Sequence, residues 1–326
     1  MSDIEILQFN DEENSEAANT NNPKLSILNL YGENLSHKKY ITNPAIGREE
    51  EINKLILILL LPEKSAVIIG KPGIGKTALV EGLAFRMQMG NIPNALKDYQ
   101  IIKINTTSLL GSTIIDGTAE LKIQLLVNEL KTKQNIILFI DEIHTLMGTG
   151  GNSGSLDFAN MLKPGLDRGS IKIIGATTTE EFDRYIIRDR AFLRRFEKIE
   201  LEEPSAETTI KILIGTIPKI EAQTGIKLDY TSFVIEKIIT FMVNMTSEYK
   251  RVFELSSRYP DIALNLLTQA FSFALFDNSL KVTFKHIWSA IKNSKLVYPD
   301  VIIKEKKAFL EEFEEFLAEE NVNVND

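Results

Sequence analysis

Gly70-Lys71-Pro72-Gly73-Ile74-Gly75-Lys76-Thr77 sets three glycines before a lysine and a hydroxyl. This is the pattern GxxxxGK[ST], a loop whose backbone N–H groups curl around phosphate oxygens. An apolar run, 66–69, precedes it. A helical pattern from Thr77 and Ala78 onward follows it, so the loop would lie at a helix N-terminus with a favourable dipole. In that setting Lys76 reaches the β- and γ-phosphates of a nucleoside triphosphate, and Thr77 ligates Mg²⁺. Downstream, the apolar run 136–140 ends in Asp141-Glu142. Such a strand end supplies a carboxylate for the magnesium shell, Asp141, and a base to orient and polarise a water, Glu142. The motif is weak alone and strong behind a phosphate loop. A further strand pattern, 171–174, apolar but for Lys172, leads into Gly175-Ala176-Thr177-Thr178. The Thr177 hydroxyl would lie beside the acids and sense the terminal phosphate; an ordinary threonine cap is the plainer alternative. Arg194 and Arg195 stand at the end of a helical stretch and before a strand. They are either a solvated face or fingers for a phosphate held by the next subunit, a task suited to a planar, permanently charged fork.

These residues need a scaffold that presents strand ends and one helix start to a common site. From about residue 44 to 201, strand and helix patterns alternate: strands at 66–69, 101–104, 136–140 and 171–174, helices at 77–89 and 119–130. Strands apolar throughout suit parallel sheets covered on both faces. The fold class expected is α/β, a parallel sheet flanked by helices, followed by a small helical domain. Helices are expected there at 206–222, 231–243, 261–274 and 283–291. The stretch 303–320 reads as one acidic amphipathic helix with Phe309, Phe313, Phe316 and Leu317 on one face. It would pack on its own domain or meet a partner. The division expected is 1–23, 24–203, 204–298 and 299–326. The first segment reads as an acidic disordered tail. Within it, Ile4, Ile6, Leu7 and Phe9 are chance or a short docking motif.

Composition narrows the function. The 326 residues carry a net charge of −8, which disfavours a dedicated binder of nucleic acid or anionic membrane. There is no cysteine, so disulfides and thiolate metal sites are excluded. The three histidines, His37, His144 and His286, lack metal-ligand spacing. The N-terminus has neither a basic start nor a long apolar run, and no run of about twenty apolar residues occurs. A cytoplasmic protein is the expectation.

Taken together, these strings resemble the first ATPase module of the Clp unfoldases and disaggregases (ClpA, ClpB, ClpC), members of the AAA+ superfamily. The likeness runs from about residue 43 to 291. NPAIGRE from Asn43 resembles the family loop in which Ile46 and Gly47 line the adenine pocket. GKPGIGKTALVEGLA from Gly70 is similar to the family string, with Lys71 where Glu is usual. FIDEIHTL from Phe139, Asn160 to Pro164, GATTTEEF from Gly175, RRFEKIELEEPS from Arg194 and Pro260-Asp261-Ile262-Ala263 also match. Arg258 falls near the place of a sensor-2 arginine. The resemblance implies a hydrolase of ATP with Mg²⁺, a homo-oligomeric ring, as in a hexamer, and a protein client or partner, with neither nucleic acid nor membrane. It departs at the first pore loop. A gap-free alignment from Asn105 sets Ile115 at the gripping tyrosine and Ile114 and Asp116 at its basic flanks. Two readings follow: an ATP-driven unfoldase, or a nucleotide-switched ring or scaffold that binds without threading. A DNA-directed loader fits the acidity least. The GxxxxGK[ST] pattern does not recur after residue 77, so a reduced, single-ring relative is expected.

Overall fold

β-branched runs build the sheet, because side chains branched at Cβ pack well on a pleated surface. The computed structural model describes residues 26–109, 112–115, 118–147, 158–167, 169, 171–252 and 258–322. The strands are β1 (Gly32–Asn34), β2 (Ser65–Ile69), β3 (Gln100–Ile104), β4 (Ser112–Ile115), β5 (Thr118–Leu121), β6 (Ile136–Ile140), β7 (Lys172–Thr177) and β8 (Phe196–Glu200). Six of them form one sheet in the order β1-β3-β6-β7-β2-β8, and β4 pairs with β5 as a separate antiparallel hairpin. Five of the six are parallel. β1 runs antiparallel to β3, with Glu33 opposite Lys103, and closes that edge. The sequence pattern missed this strand, which is too short and polar to show a period.

The helices beside the sheet are α1 (Ile27–Tyr31), α2 (Glu49–Leu60), α3 (Lys76–Gln88), α4 (Thr106–Leu109), α5 (Lys122–Thr132), α6 (Phe158–Asp167), α7 (Thr179–Glu181) and α8 (Arg190–Leu193). Alternation along β6 shows how both faces are covered. Ile137 and Phe139 pack with Ile52, Leu55, Leu79 and Leu83 of α2 and α3. Leu138 and Ile140 pack with Leu126, Val127 and Leu162 of α5 and α6. Beyond β8 come α9 (Ala206–Thr224), α10 (Ser232–Met245), α11 (Asp261–Phe276), α12 (Phe284–Lys292), α13 (Pro299–Glu312) and α14 (Glu314–Glu319). They enclose a separate core from Leu213 to Leu317.

Three expectations need correction. The helix expected at 119–130 begins at Lys122, because 118–121 serves as the second strand of the hairpin. Thr177 lies within β7 rather than beyond it. The helix expected at 303–320 is two helices joined at Phe313, whose backbone leaves helical geometry at φ −117°, ψ 20°. That break lets Phe309, Phe313 and Leu317 all be buried against α10 and α12, with Phe313 5.0 Å from the Phe284 ring. Each such apolar side chain contributes about 1.5–3 kcal/mol. The apolar face is therefore used by its own domain.

Candidate functional site

The phosphate loop runs between β2 and α3, at the carboxyl end of the sheet, where open α/β sheets bind ligands. Gly75 caps α3 at φ +97°, a left-handed conformation that spares the loop a side chain. Gly73 lies at φ +76°, and a Cβ there would come within 2.7 Å of Asp261 Cβ. The loop is thus pressed against the first turn of α11, from the helical region. Lys71, Pro72 and Gly73 are exposed, while Ile74 is buried beneath them.

Thr77 Oγ1 donates to Asp141 Oδ2 at 2.8 Å, which joins the start of α3 to the end of β6. Lys76 Nζ donates to the carbonyl oxygens of Gly70, 2.8 Å away, and Lys71, 3.0 Å away. Burial pushes the Lys76 ammonium below its ordinary pKa, against the pull of Asp141, Glu181, Glu142 and Glu180. Glu142 follows with a left-handed backbone, φ 51°, unusual for a side chain of its size. Such conformations persist where the surroundings hold them, often at functional sites. Its carbonyl accepts from the N–H and hydroxyl of Thr145, both at 2.9 Å, and its side chain stays exposed.

Thr177 is buried at the end of β7. Its hydroxyl lies 3.0 Å from His144 Nδ1 and donates to Glu181 Oε2 at 3.1 Å. Burial favours protonation of Glu181. The N–H and hydroxyl of Thr178, with His144 and Thr177, outweigh burial and hold its pKa below the ordinary carboxylate value. Sequence reasoning weighed His144 only as a metal ligand and gave neither it nor Glu181 a place in this site. The one signal lay in their place inside the two quoted strings, since their meeting is through space. Lys103 was also missed. Its ammonium lies 3.5 Å from Asp141 Oδ2.

Beside the loop is a cavity of about 340 Å³ between the sheet region and the helical region. Ile46, Gly73, Ile74, Gly75 and Ala78 line it from one side, and Ile212, Pro260 and Leu264 from the other. Gly47, next to Ile46, turns at φ +71° against Thr208. A mostly apolar pocket of this size next to a phosphate cradle fits a nucleoside.

The structure brings neither arginine group to that cavity. Arg258 lies instead with its Nε 4.0 Å from Glu203 Oε2 and Nη1 3.9 Å from Glu248 Oε1. Arg194 is exposed and Arg195 half-buried, at the opposite end of the sheet. Ser65 N–H donates to the Arg195 carbonyl at 2.8 Å, so the pair flanks the start of β2 while the phosphate loop follows its end.

The comparisons agree with this geometry. Residues 66–202 match the model of the ATPase family associated with various cellular activities (AAA). The chaperone protein ClpB of Aquifex aeolicus is 42% identical over 248 residues, which covers 75% of this chain and 24% of that protein. The ATP-binding subunit ClpE of the Clp protease of Bacillus subtilis is 39% identical over 250 residues, 76% of this chain and 34% of that protein. The chain thus spans a quarter to a third of the length of these relatives. Among solved structures, an S. cerevisiae Hsp104–casein complex superposes with a TM-score of 0.68 and 33% identity, covering 82% of this chain and 45% of that chain. A closed-state Hsp104 with ATPγS and casein gives 0.69 and 30%, covering 91% and 50%. With this sheet, this loop and these likenesses, the chain belongs to the AAA+ ATPases and carries a module of the Clp type.

Proposed function

We propose that this chain hydrolyses ATP at the β2–α3 loop, assembles as a homo-oligomeric hexameric ring, and remodels or unfolds a protein client in the cytoplasm. The observation that carries the reading is the Thr77–Asp141 hydrogen bond, which joins the start of the loop's helix to the end of β6 beside Lys76. The loop glycines and the adjoining cavity fit the phosphates and the base. Thr77 and Asp141 would hold Mg²⁺, which when bound neutralises charge on phosphate oxygens. The chain's own residues do the rest. Lys76 offers a point charge to the phosphates. Glu142, exposed just past Asp141, orients and deprotonates the attacking water. Thr177, steadied by His144 and Glu181, reports on the phosphate end of the site.

The arginines supply the argument for a ring. The five residues of β2 place Arg194 and Arg195 about 16 Å along the strand from their own phosphate loop. Across a subunit boundary they reach a neighbour's. Proteins with casein in the Hsp104 structures support a protein client. The second reading, a ring that switches without threading, rests on Ile114 and Ile115 at the end of β4, where an aromatic grip is lacking. Asp116 and Gly117 lie outside the described residues.

Phosphate release and nucleotide affinity test the assignment together. Glu142→Gln should bind ATP normally and lose turnover by about 10²–10⁴-fold. Lys76→Ala should lose binding. Turnover at the wild-type level in Glu142→Gln would remove that residue from the role of base.

A further inference from the structure

Lys103 stands where no metal-binding motif needs a base. β3 and β6 pair in register with Lys103 opposite Phe139. Side chains alternate along strands, so Ile101 and Lys103 share a face with Ile137, Phe139 and, one step further, Asp141. That face carries α3 and the phosphate loop. A diagonal neighbour two residues on is within reach of a long side chain. The Lys103 ammonium spans that gap over the Phe139 ring, 5.7 Å from its centroid, and reaches Asp141 Oδ2 at 3.5 Å.

The oxygen it reaches decides the consequence. Oδ2 is the same atom that accepts from Thr77 Oγ1. Thr77 and Asp141 are the two groups assigned to the magnesium shell, so the ammonium lies on a carboxylate oxygen that would also serve the metal. Lys76 does not compete for that place, because its hydrogen bonds go to the Gly70 and Lys71 carbonyls. Asp141 Oδ1 is taken separately, by the Glu142 N–H at 3.2 Å. Among the described ion pairs, Lys103 is the cation on Asp141.

We infer that Lys103 competes with Mg²⁺ for Asp141 Oδ2 and so sets the magnesium concentration at which the site holds nucleotide. A fixed positive charge on a metal ligand repels an incoming divalent cation and must be displaced by it. Lysine suits this role because its stem is flexible and its ammonium rehydrates readily. Lys103 and Asp141 are each about three-tenths exposed, so the charge can withdraw to solvent rather than block the site. Lys103 is thus a positioning residue for the metal ligand. The inference rests on the assignment of Thr77 and Asp141 to magnesium.

The test is binding of a fluorescent ATP analogue by the full chain while free Mg²⁺ is varied with a metal buffer. Three proteins are compared: wild type, Lys103→Met and Lys103→Arg. Lys103→Met should reach half-maximal binding at about threefold lower Mg²⁺ or less, a modest effect as befits a partly exposed pair. Lys103→Arg, which keeps the charge, should stay near the wild-type midpoint. If Lys103→Met melts early, Lys103→Gln takes its place with the same expected fall. An unchanged or raised midpoint in a neutral variant that melts like wild type overturns the inference and leaves the nucleotide site intact. Failure of wild type to bind the analogue at any Mg²⁺ concentration overturns both.

Discussion

Glu203 joins the two cores through one carboxylate. It lies in the link between β8 and α9. Arg251, 4% exposed, grips it with a fork at 2.6 and 3.2 Å, and Tyr259 N–H donates at 2.9 Å. Burial alone would raise the Glu203 pKa. The Arg251 and Tyr259 hydrogen bonds, with the charges of Arg251 and Arg258, outweigh it and hold the pKa below its ordinary 4.5. A depressed folded-state pKa means that this stabilisation is fully present above 4.5 and fades as pH falls through the folded value. Glu203→Gln should destabilise the protein by about 3 kcal/mol, since it leaves the buried Arg251 charge uncompensated. It should also flatten the acid limb of a melting-temperature profile below pH 4.5. A variant that melts like wild type and keeps the full acid limb would remove Glu203 from this role. Nothing local in the sequence marks this pair, because 48 positions separate its members. Lys76, Thr77 and Asp141 were legible for the opposite reason: each sits in a short motif whose strand or helix context is also local. His144, Glu181 and Lys103 needed the register of strands that no single segment encodes.

The elements show the same division. β6 occupies 136–140 as its apolar run demanded, and α9 to α12 appear where the helical period placed them. Long periodic segments state their own type. The hairpin of β4 and β5 did not, since Ala119, Leu121 and Leu125 mimic a helix and four-residue strands leave no period. β1 and the break at Phe313 were likewise set by tertiary packing. The tail at 1–23, with Ile4 to Phe9, lies outside the described residues. The hairpin also separates the two functional readings. In it Ile114 pairs with Ala119 and Ile115 with Thr118, so both isoleucines lie at the end of the ladder away from Ser112. An isoleucine offers less contact area than an aromatic ring to a passing chain. The native protein should therefore unfold a tagged fluorescent protein slowly in the presence of a trap. Replacing Ile114→Lys, Ile115→Tyr and Asp116→Arg together should speed the loss of fluorescence several-fold, roughly the 1 kcal/mol that an aromatic contact adds. Efficient unfolding by the native chain would sink the switching alternative.

At the scale of the molecule, the sheet holds the Gly70–Thr77 loop and the Arg194-Arg195 pair at opposite ends. The phosphate loop, Asp141 and Thr177 gather at the carboxyl ends of the strands, and the helical region closes over them through Asp261 and Gly73. Arg194 and Arg195 stand at the other end of β2 and β8, held there by backbone hydrogen bonds to Lys64 Nζ and the Ser65 N–H. On the proposed reading, a chain's arginines lie a strand's length from its own phosphate loop and serve a neighbour's. The described helices include none long and apolar enough to cross a membrane. Under the proposed shared site, catalysis would be a property of the assembly, and an arginine supplied in trans is worth roughly 10³–10⁵ in rate. The most direct measurement is phosphate release per chain across a dilution series, with particle size determined on the same samples in ATP. Turnover should rise steeply with concentration and track the appearance of the ring. Full turnover by a demonstrated monomer would contradict the shared site, and so would an assembled ring that releases no phosphate.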